Sequence, residues 1–413
     1  MMTISETFCV LPWLHLHFHP DGQVHHCCLS HKESAMGNLS DGSPDEIINN
    51  ENYKKLRLKL LNNEKPDSCV RCFEREQYNV KSMRQHHNEH FSKDINQLIN
   101  DTNTDGSINK PTFKYWDFRF SNLCNMKCRM CGTGFSSLWF DDEVELERRG
   151  IGKTSVSKRV VNSQEKSQIN LKEWVDSKIK DVEYCYFAGG EPLIMEEHYY
   201  ILKKLIDHKR FDVKIRYNSN LLKLNFKDFD LVDMWKRFDL VQMNASIDDI
   251  ETRAEYIRKG TKWQDIENNI KRLLDTNIRL NVDCTTQAMN VLTLPELFQR
   301  LDEIGLPLTR VQLHNLLQFP RSFTVKILSD ELKQQVEQKL LNYANTHSTH
   351  IQDDLKTKFK TVIEYMNDMQ NFNDVESLRK QFKIKQNALD DLRQEKFTDV
   401  FPHLKEWYNA IPV

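Results

Sequence analysis

The run Phe120-Ser121-Asn122-Leu123-Cys124-Asn125-Met126-Lys127-Cys128-Arg129-Met130-Cys131 sets three cysteines at Cys-x3-Cys-x2-Cys spacing, directly after an alternating apolar stretch that reads as a strand. A cuboidal 4Fe-4S cluster takes four cysteines. Three at this spacing leave one iron open to a ligand that is not protein, and that open iron is where function is to be sought. A zinc knuckle completed by a distant His or a fourth Cys uses the same thiols.

The chain has 413 residues, 39% hydrophobic and 10% aromatic, enough for a large core and for two or three domains. Net charge is −2, with Lys and Arg interspersed among acids, so no electrostatic footprint for nucleic acid exists. No stretch approaches the ~20 apolar residues of a membrane span. The start, Met1-Met2-Thr3-Ile4-Ser5-Glu6-Thr7, has neither the basic region nor the apolar core of an export signal. The expectation is a cytoplasmic protein with no nucleic-acid or membrane partner. Thiols stay reduced in that compartment, so ten cysteines argue for metal ligation or catalysis rather than disulfides.

Composition separates three regions: 1–100, with five cysteines and most histidines; 111–320, alternating strand-like and helix-like segments; and 321–413, helical and nearly free of Gly and Cys. Strands are expected at Phe113 to Phe120, Val182 to Phe187, Val213 to Tyr217, Leu240 to Ser246, Leu280 to Thr285 and Arg310 to His314. Helices are expected at Glu196 to His208, Trp263 to Asp275 and Pro295 to Glu303, the last with Thr293 and Glu296 as a capping box. The fold class is α/β, with parallel pairing and right-handed crossovers. An open doubly wound sheet and a curved partial barrel both satisfy this spacing. Segment 150–170, rich in Ser, Lys and Asn, reads as a long exposed loop.

The strand ends after the cysteine knot carry polar motifs. The second ends in Gly189-Gly190-Glu191-Pro192, the third in Tyr217-Asn218-Ser219-Asn220 and the fourth in Asn244-Ala245-Ser246-Ile247-Asp248-Asp249, followed by Tyr256-Ile257-Arg258-Lys259-Gly260. The glycines permit close backbone approach to a ligand, Glu191 can accept from an ammonium, and Arg258 is a bidentate donor or a surface helix charge. Together with the cysteine knot these motifs resemble the radical S-adenosylmethionine (AdoMet) superfamily. The resemblance implies a partial (β/α)6 barrel with ligands at the carboxyl ends of its strands. It implies that Cys124, Cys128 and Cys131 hold a 4Fe-4S cluster whose free iron takes the amino and carboxylate groups of AdoMet. By the same resemblance Gly189, Gly190, Glu191 and Pro192 hold the AdoMet amino group, Asn218, Ser246 and Asp248 bind elsewhere on AdoMet, and Arg258 clamps a carboxylate. Met130 stands where the family usually has an aromatic residue along adenine.

The amino-terminal cysteines form a second set. Cys9 precedes a hairpin turned at Pro20-Asp21-Gly22, Cys27 follows it, and a helix opened by Ser43, Pro44 and Glu46 leads to Cys69-Val70-Arg71-Cys72. Cys-x17-Cys with a distant Cys-x2-Cys resembles the twitch domain, the short form of the SPASM extension of radical AdoMet enzymes, here placed before the barrel. It implies a second, auxiliary 4Fe-4S cluster on Cys9, Cys27, Cys69 and Cys72, and the Gly22-x4-Cys27 spacing selects Cys27 over Cys28. A zinc ribbon on the same four residues is the alternative.

His15, His17 and His19 share a strand face and are expected on a solvated hairpin surface, with lining a substrate or binding a metal as the alternative. Cys185 and Cys284 read as small buried hydrophobes. Gln287, Asn290, Gln312, His314 and Asn315 lie at or beyond the last strand ends, where a substrate would make polar contacts. The carboxyl-terminal run from Ser329 reads as a covering helical layer. By resemblance, the chain is an enzyme in which AdoMet is reductively cleaved to a 5'-deoxyadenosyl radical that takes hydrogen from a peptide or protein side chain, for oxidation or cross-linking. A flavodoxin or ferredoxin would serve as reductant. Dehydrogenation of a small polyol or sugar is the alternative substrate chemistry, and a non-catalytic iron-sulfur or zinc sensor or scaffold the alternative of another class. No general acid or base is identified in the sequence.

Overall fold

The computed structural model describes residues 4–30, 32–77, 81–370 and 372–412. Its strands are β1 (His15–Phe18), β2 (Gln23–His25), β3 (Gly37–Asn38), β4 (Tyr115–Phe118), β5 (Lys127–Cys128), β6 (Tyr184–Phe187), β7 (Lys214–Ser219), β8 (Asn225–Phe226), β9 (Phe229–Asp230), β10 (Val241–Ser246), β11 (Arg258–Lys259), β12 (Arg279–Thr286) and β13 (Val311–Leu316). Each of the six strands expected between 111 and 320 is present, as β4, β6, β7, β10, β12 and β13. The chain divides into two compact units, one of residues 1–122, 160–216 and 237–240, the other of 123–159, 217–236 and 241–413.

In the first unit the strands run in the order β6-β4-β1-β2-β3. β4 pairs in parallel with both β6 and β1, and β1 turns back antiparallel on β2. The expected Pro-Asp-Gly turn closes that hairpin, with His19 N–H donating to Gln23 O at 2.9 Å. Gly22 sits there at φ 84°, the left-handed region such a turn requires. One sheet face is apolar: Leu16, Phe18, Trp116, Phe118, Cys185 and Phe187 are all buried. Trp116 and Phe118 pack 5.9 and 6.0 Å, ring to ring, from Trp174 of helix Leu171–Lys178. Burying an aromatic of ~150–250 Å² at ~25 cal/mol per Å² contributes roughly 4–6 kcal/mol, so this face dominates the unit's core. Ser43 forms the expected capping box, accepting from Glu46 N–H while Glu46 accepts from Ser43 N–H.

In the second unit β10, β12 and β13 are parallel, and β5 pairs antiparallel with β11. Met243, Ala245, Leu280, Val282, Val311 and Leu313 are buried under helices Trp263–Leu274 and Leu294–Ile304. The capping box expected at Thr293 does not form. Its hydroxyl donates instead to Asp249 Oδ2 at 2.6 Å, and Glu296 pairs with Arg253 and Lys339. A buried carboxylate is a stronger acceptor partner than a helix amide is a donor, so the tertiary contact wins. Helices Asp330–Asn345, Thr349–Asn367 and Val375–Arg393 bury Val336, Leu340, Phe359, Val362, Phe382 and Leu389 at helical spacing, the expected covering layer.

Candidate iron-sulfur and cofactor sites

In the second unit the cysteine loop is held from three sides. Cys128 lies opposite Arg258 in the β5–β11 pair, and Arg129 N–H donates to Ile257 O at 2.8 Å. Trp139 Nε1 donates to Cys128 O at 2.8 Å, and Ser136 Oγ to Met126 O at 2.5 Å. Gly260, at φ 107°, lets the two segments meet: a Cβ there would stand 2.8 Å from Asn125 O. Within the motif, Arg129 is fully buried with its guanidinium 3.5 Å from the Tyr256 ring centre. It donates to Gln386 Oε1 at 2.7 Å and to Asp390 and Glu395, both at 2.6 Å.

The three thiols are neighbours. Cys131 beside it and the Arg258 charge hold the Cys128 thiol below its ordinary range against burial, while Cys131 is pushed up by Cys128, by burial and by Cys124. Arg258 Nη1 stands 3.7 Å from Cys128 Sγ. The rest of its guanidinium forms a bidentate pair with Asp248, at 2.8 and 3.0 Å. Arg258 and Asp248, each expected to meet AdoMet, therefore meet each other beside the Cys128 thiol. Asp248 Oδ1 also accepts from Thr285 N–H at 2.8 Å, and its carbonyl from Asn290 Nδ2 at 2.8 Å. Asn218 Oδ1 accepts from Asn244 Nδ2 at 3.2 Å, and Asn244 Oδ1 from Asn281 Nδ2 at 3.0 Å, a ladder of amides across strand ends. Ser246 and Met130 are half-buried.

The first unit holds the Gly-Gly-Glu-Pro motif at the end of β6. Gly189 and Gly190 have φ of 78° and 53°. A Cβ on Gly189 would meet the Arg119 side chain at 3.0 Å, so glycine is needed for both backbone and space. Glu191 is buried and its Oε1 accepts from Leu193 N–H at 3.1 Å, at the mouth of the Pro192–Ile194 turn.

In the same unit Cys9, Cys27, Cys69 and Cys72 line one small cavity of about 20 Å³ with Leu11, Leu29, Met83 and His26. Cys69 closes a 3-10 turn and Cys72 lies in the helix that follows it, so x2 spacing brings both to one face. Cys28 is not among the residues lining this cavity; its Sγ lies 3.8 Å from Met83 Sδ, and Asp117 and Arg119 are among its charged neighbours. Burial pushes the Cys9 and Cys27 thiols well up and Cys69 up to about 11, and in Cys9 and Cys27 neighbouring thiols push further. Among the described residues no three His, Cys, Asp or Glu side chains are already arranged to hold a single metal ion. The convergence of four thiols on one cavity fits a cuboidal cluster, whose iron would deprotonate them on binding.

The histidines of β1 are not on a solvated surface. His15 and His17 are 1% exposed and His19 is half-buried. Because β1 joins β4 in parallel, His17 lies opposite Asp117, and the hairpin's polar face inherits the burial of β4. His17 Nδ1 is 3.0 Å from Asp117 Oδ2, and the Nε2 atoms of His17 and His19 are 3.0 Å apart. Burial works against the Asp117 charge, but His17 and Arg119 hold its carboxyl well below the usual range. The signal for this face lay in the period-two placement of Tyr115, Asp117 and Arg119 within an otherwise apolar strand. Of the residues beyond the last strand ends, Gln287 and Asn290 are fully buried, Gln312 donates to Thr309 O at 3.1 Å, and His314 and Asn315 are exposed. Cys185 and Cys284 are buried as expected.

The profile of the Radical SAM superfamily matches residues 118–313, and that of an iron-sulfur cluster-binding domain, SPASM, matches residues 9–73. No curated protein matches the chain. Among solved structures, native anSMEcpe with bound AdoMet is similar at 15% identity, over 55% of this chain and 57% of that one, with a TM-score of 0.35. Streptococcus suis SuiB bound to the precursor peptide SuiA is similar at 12% identity, over 71% and 62%, with a TM-score of 0.37. SuiB bound to S-adenosylmethionine gives 14%, 83% and 70%, and 0.35. The chain thus spans 57% and 62% of the length of the first two structures it matches. A 4Fe-4S cluster, AdoMet and auxiliary iron-sulfur are the cofactors that these two domains entail. With both profiles matched on one chain, and the cysteines of each gathered within one unit, the protein belongs to the radical SAM superfamily and carries its SPASM-type domain ahead of the partial barrel.

Proposed function

We propose that this enzyme oxidises or cross-links a side chain of a peptide or protein, with Cys124, Cys128 and Cys131 holding the AdoMet-binding cluster and Cys9, Cys27, Cys69 and Cys72 an auxiliary one. The observation that carries the reading is the presence of two separate thiol sets, one of three and one of four, each gathered in its own unit. When bound, the cofactors supply a hydrogen-abstracting radical at the first set and an electron acceptor at the second. The chain's part is to bind and orient. Glu191 presents a buried carboxylate to an ammonium. Arg258, fixed by Asp248, sets a cation beside the Cys128 sulfur and offsets negative charge there. The Asn218–Asn244–Asn281 ladder, with Ser246, offers amides and a hydroxyl to sugar or carboxylate oxygens. Met130, half-buried beside Cys131, would line the adenine, and a flavodoxin or ferredoxin would supply the electron.

The test is anaerobic reconstitution, followed by dithionite and AdoMet. The expected results are about eight irons per chain, about four in the Cys124, Cys128 and Cys131→Ala variant, and 5'-deoxyadenosine from the intact protein only. Mass spectrometry of peptides encoded beside the gene, co-expressed with the enzyme, should then show loss of two hydrogens. Zinc at the four-cysteine site overturns the auxiliary cluster, absence of 5'-deoxyadenosine favours a scaffold, and turnover of a polyol or sugar instead replaces the peptide.

A further inference from the structure

His26 lies between the hairpin and the four-cysteine cavity. It is 1% exposed, and its Nε2 is 3.6 Å from Cys69 Sγ. Its Nδ1 is buried with no hydrogen-bond partner among the described residues. A buried imidazole with one nitrogen unsatisfied is unfavourable packing; phenylalanine would fill the same space without that penalty. Among the described residues, the hydrogen-bond contact that imidazole gains over phenylalanine here is with the sulfur.

We propose that His26 sets the reduction potential of the auxiliary cluster by donating its Nε2–H to the Cys69 thiolate. The inference rests on the assignment of Cys9, Cys27, Cys69 and Cys72 to that cluster. Reduction adds an electron whose charge spreads onto the thiolate sulfurs, and an N–H aimed at one of them stabilises the reduced form and raises the potential. Leu11, Leu29 and Met83 supply apolar lining, in which a hydrogen bond to sulfur is strengthened. The other polar groups at the cavity are weaker candidates. Ser68 Oγ lies farther from the same sulfur, at 3.9 Å, and Arg71 is exposed. Arg84 is committed to Glu76 through Nε and Nη2, at 3.0 and 2.6 Å, and to the carbonyls of Glu6 and Phe8 through Nη1. A more positive potential makes the cluster a better acceptor for the electron that completes a substrate oxidation.

The experiment uses the full chain with Cys124, Cys128 and Cys131→Ala, so that only the amino-terminal site can hold iron. An electron paramagnetic resonance titration at one fixed pH compares His26 with His26→Phe and His26→Gln. The expected result is equal iron content, a more negative midpoint for His26→Phe, and recovery toward the parent value with the amide donor of His26→Gln. Identical midpoints in all three overturn the proposal. Where His26→Phe fails to hold iron, the decision passes to the parent chain labelled with 15N-histidine. Its reduced cluster should show a weak 15N hyperfine coupling that disappears in His26→Gln, and absence of that coupling overturns the proposal equally. Zinc, or no iron, in the parent chain is a different result and overturns the auxiliary-cluster assignment itself.

Discussion

At the scale of single residues, the site is built from buried charges that are already partnered, and this decides how substitutions should read out. Glu191 is buried with one oxygen on the Leu193 amide. Glu191→Gln keeps the shape and removes the charge, so AdoMet affinity should fall by ~1.5 to 3 kcal/mol, the value of a charge-assisted hydrogen bond. Iron content should be unchanged. Calorimetry on the reconstituted variant checks this, and equal affinity removes Glu191 from the site. Asp248 and Arg258 form a buried bidentate pair. Breaking such a pair from one side leaves an uncompensated charge and costs ~3–5 kcal/mol. Asp248→Ala should therefore lower the urea midpoint of the iron-free protein, not only its AdoMet binding. A variant with unaltered stability would show that solvent reaches Arg258 freely.

At the scale of elements, the carboxyl-terminal helix Val375–Arg393 does more than cover apolar surface. Gln386 and Asp390 lie one turn apart on it, and Glu395 returns to the same point because Gln394 takes the left-handed conformation at φ 53°. All three side chains converge on Arg129, inside the cysteine motif. Arg393 binds Asp142, which in turn holds Lys127, the residue before Cys128. The helix is thus a brace for the loop that carries the thiols. Replacing Asp390 and Glu395 together by Ala should cost ~3–5 kcal/mol through the stranded Arg129 charge. It should also strip iron selectively from the Cys124, Cys128 and Cys131 site. Iron analysis after desalting, with the four-cysteine site as internal control, tests this; equal retention at both sites would rule the brace out.

At the scale of the whole molecule, several histidines are buried as neutral groups. Burial holds His15 down to about 4, and His87 and His198 to about 3, from an ordinary value of 6.5. With folded values below the unfolded one, the unfolded chain takes up protons first. Stability is therefore full above about pH 6.5 and is lost as pH falls through 6.5 toward the folded values. His198 is shifted by burial alone and should cost on the order of 3 kcal/mol by pH 4. Asp117, held low by His17 and Arg119, adds a further loss only below the ordinary carboxylate range. Thermal unfolding across pH should be flat near neutrality and fall steadily below about 6.5. His198→Phe should flatten part of that fall, and a slope identical to the parent would place the loss elsewhere.

What the sequence determined by itself was local or periodic. The six strands, the hairpin turn and the Ser43 capping box follow from alternation, turn chemistry and a three-residue reach, none of which needs a distant partner. The grouping of the cysteines into a set of three and a set of four was legible from their spacing alone. Tertiary structure decided everything that depends on which strand lies beside which. A period-two face reads the same whether its neighbour is water or β4, so His15 and His17 looked solvated until β1 was paired with Tyr115–Phe118. Thr293 offered a cap and was taken by Asp249, and Arg258 and Asp248, ten residues apart in sequence, found each other. Gln386, Asp390 and Glu395, which accept from Arg129, come from more than two hundred and fifty residues downstream. A buried charge takes whichever opposite charge the fold brings to it, and no spacing rule in the chain encodes that choice.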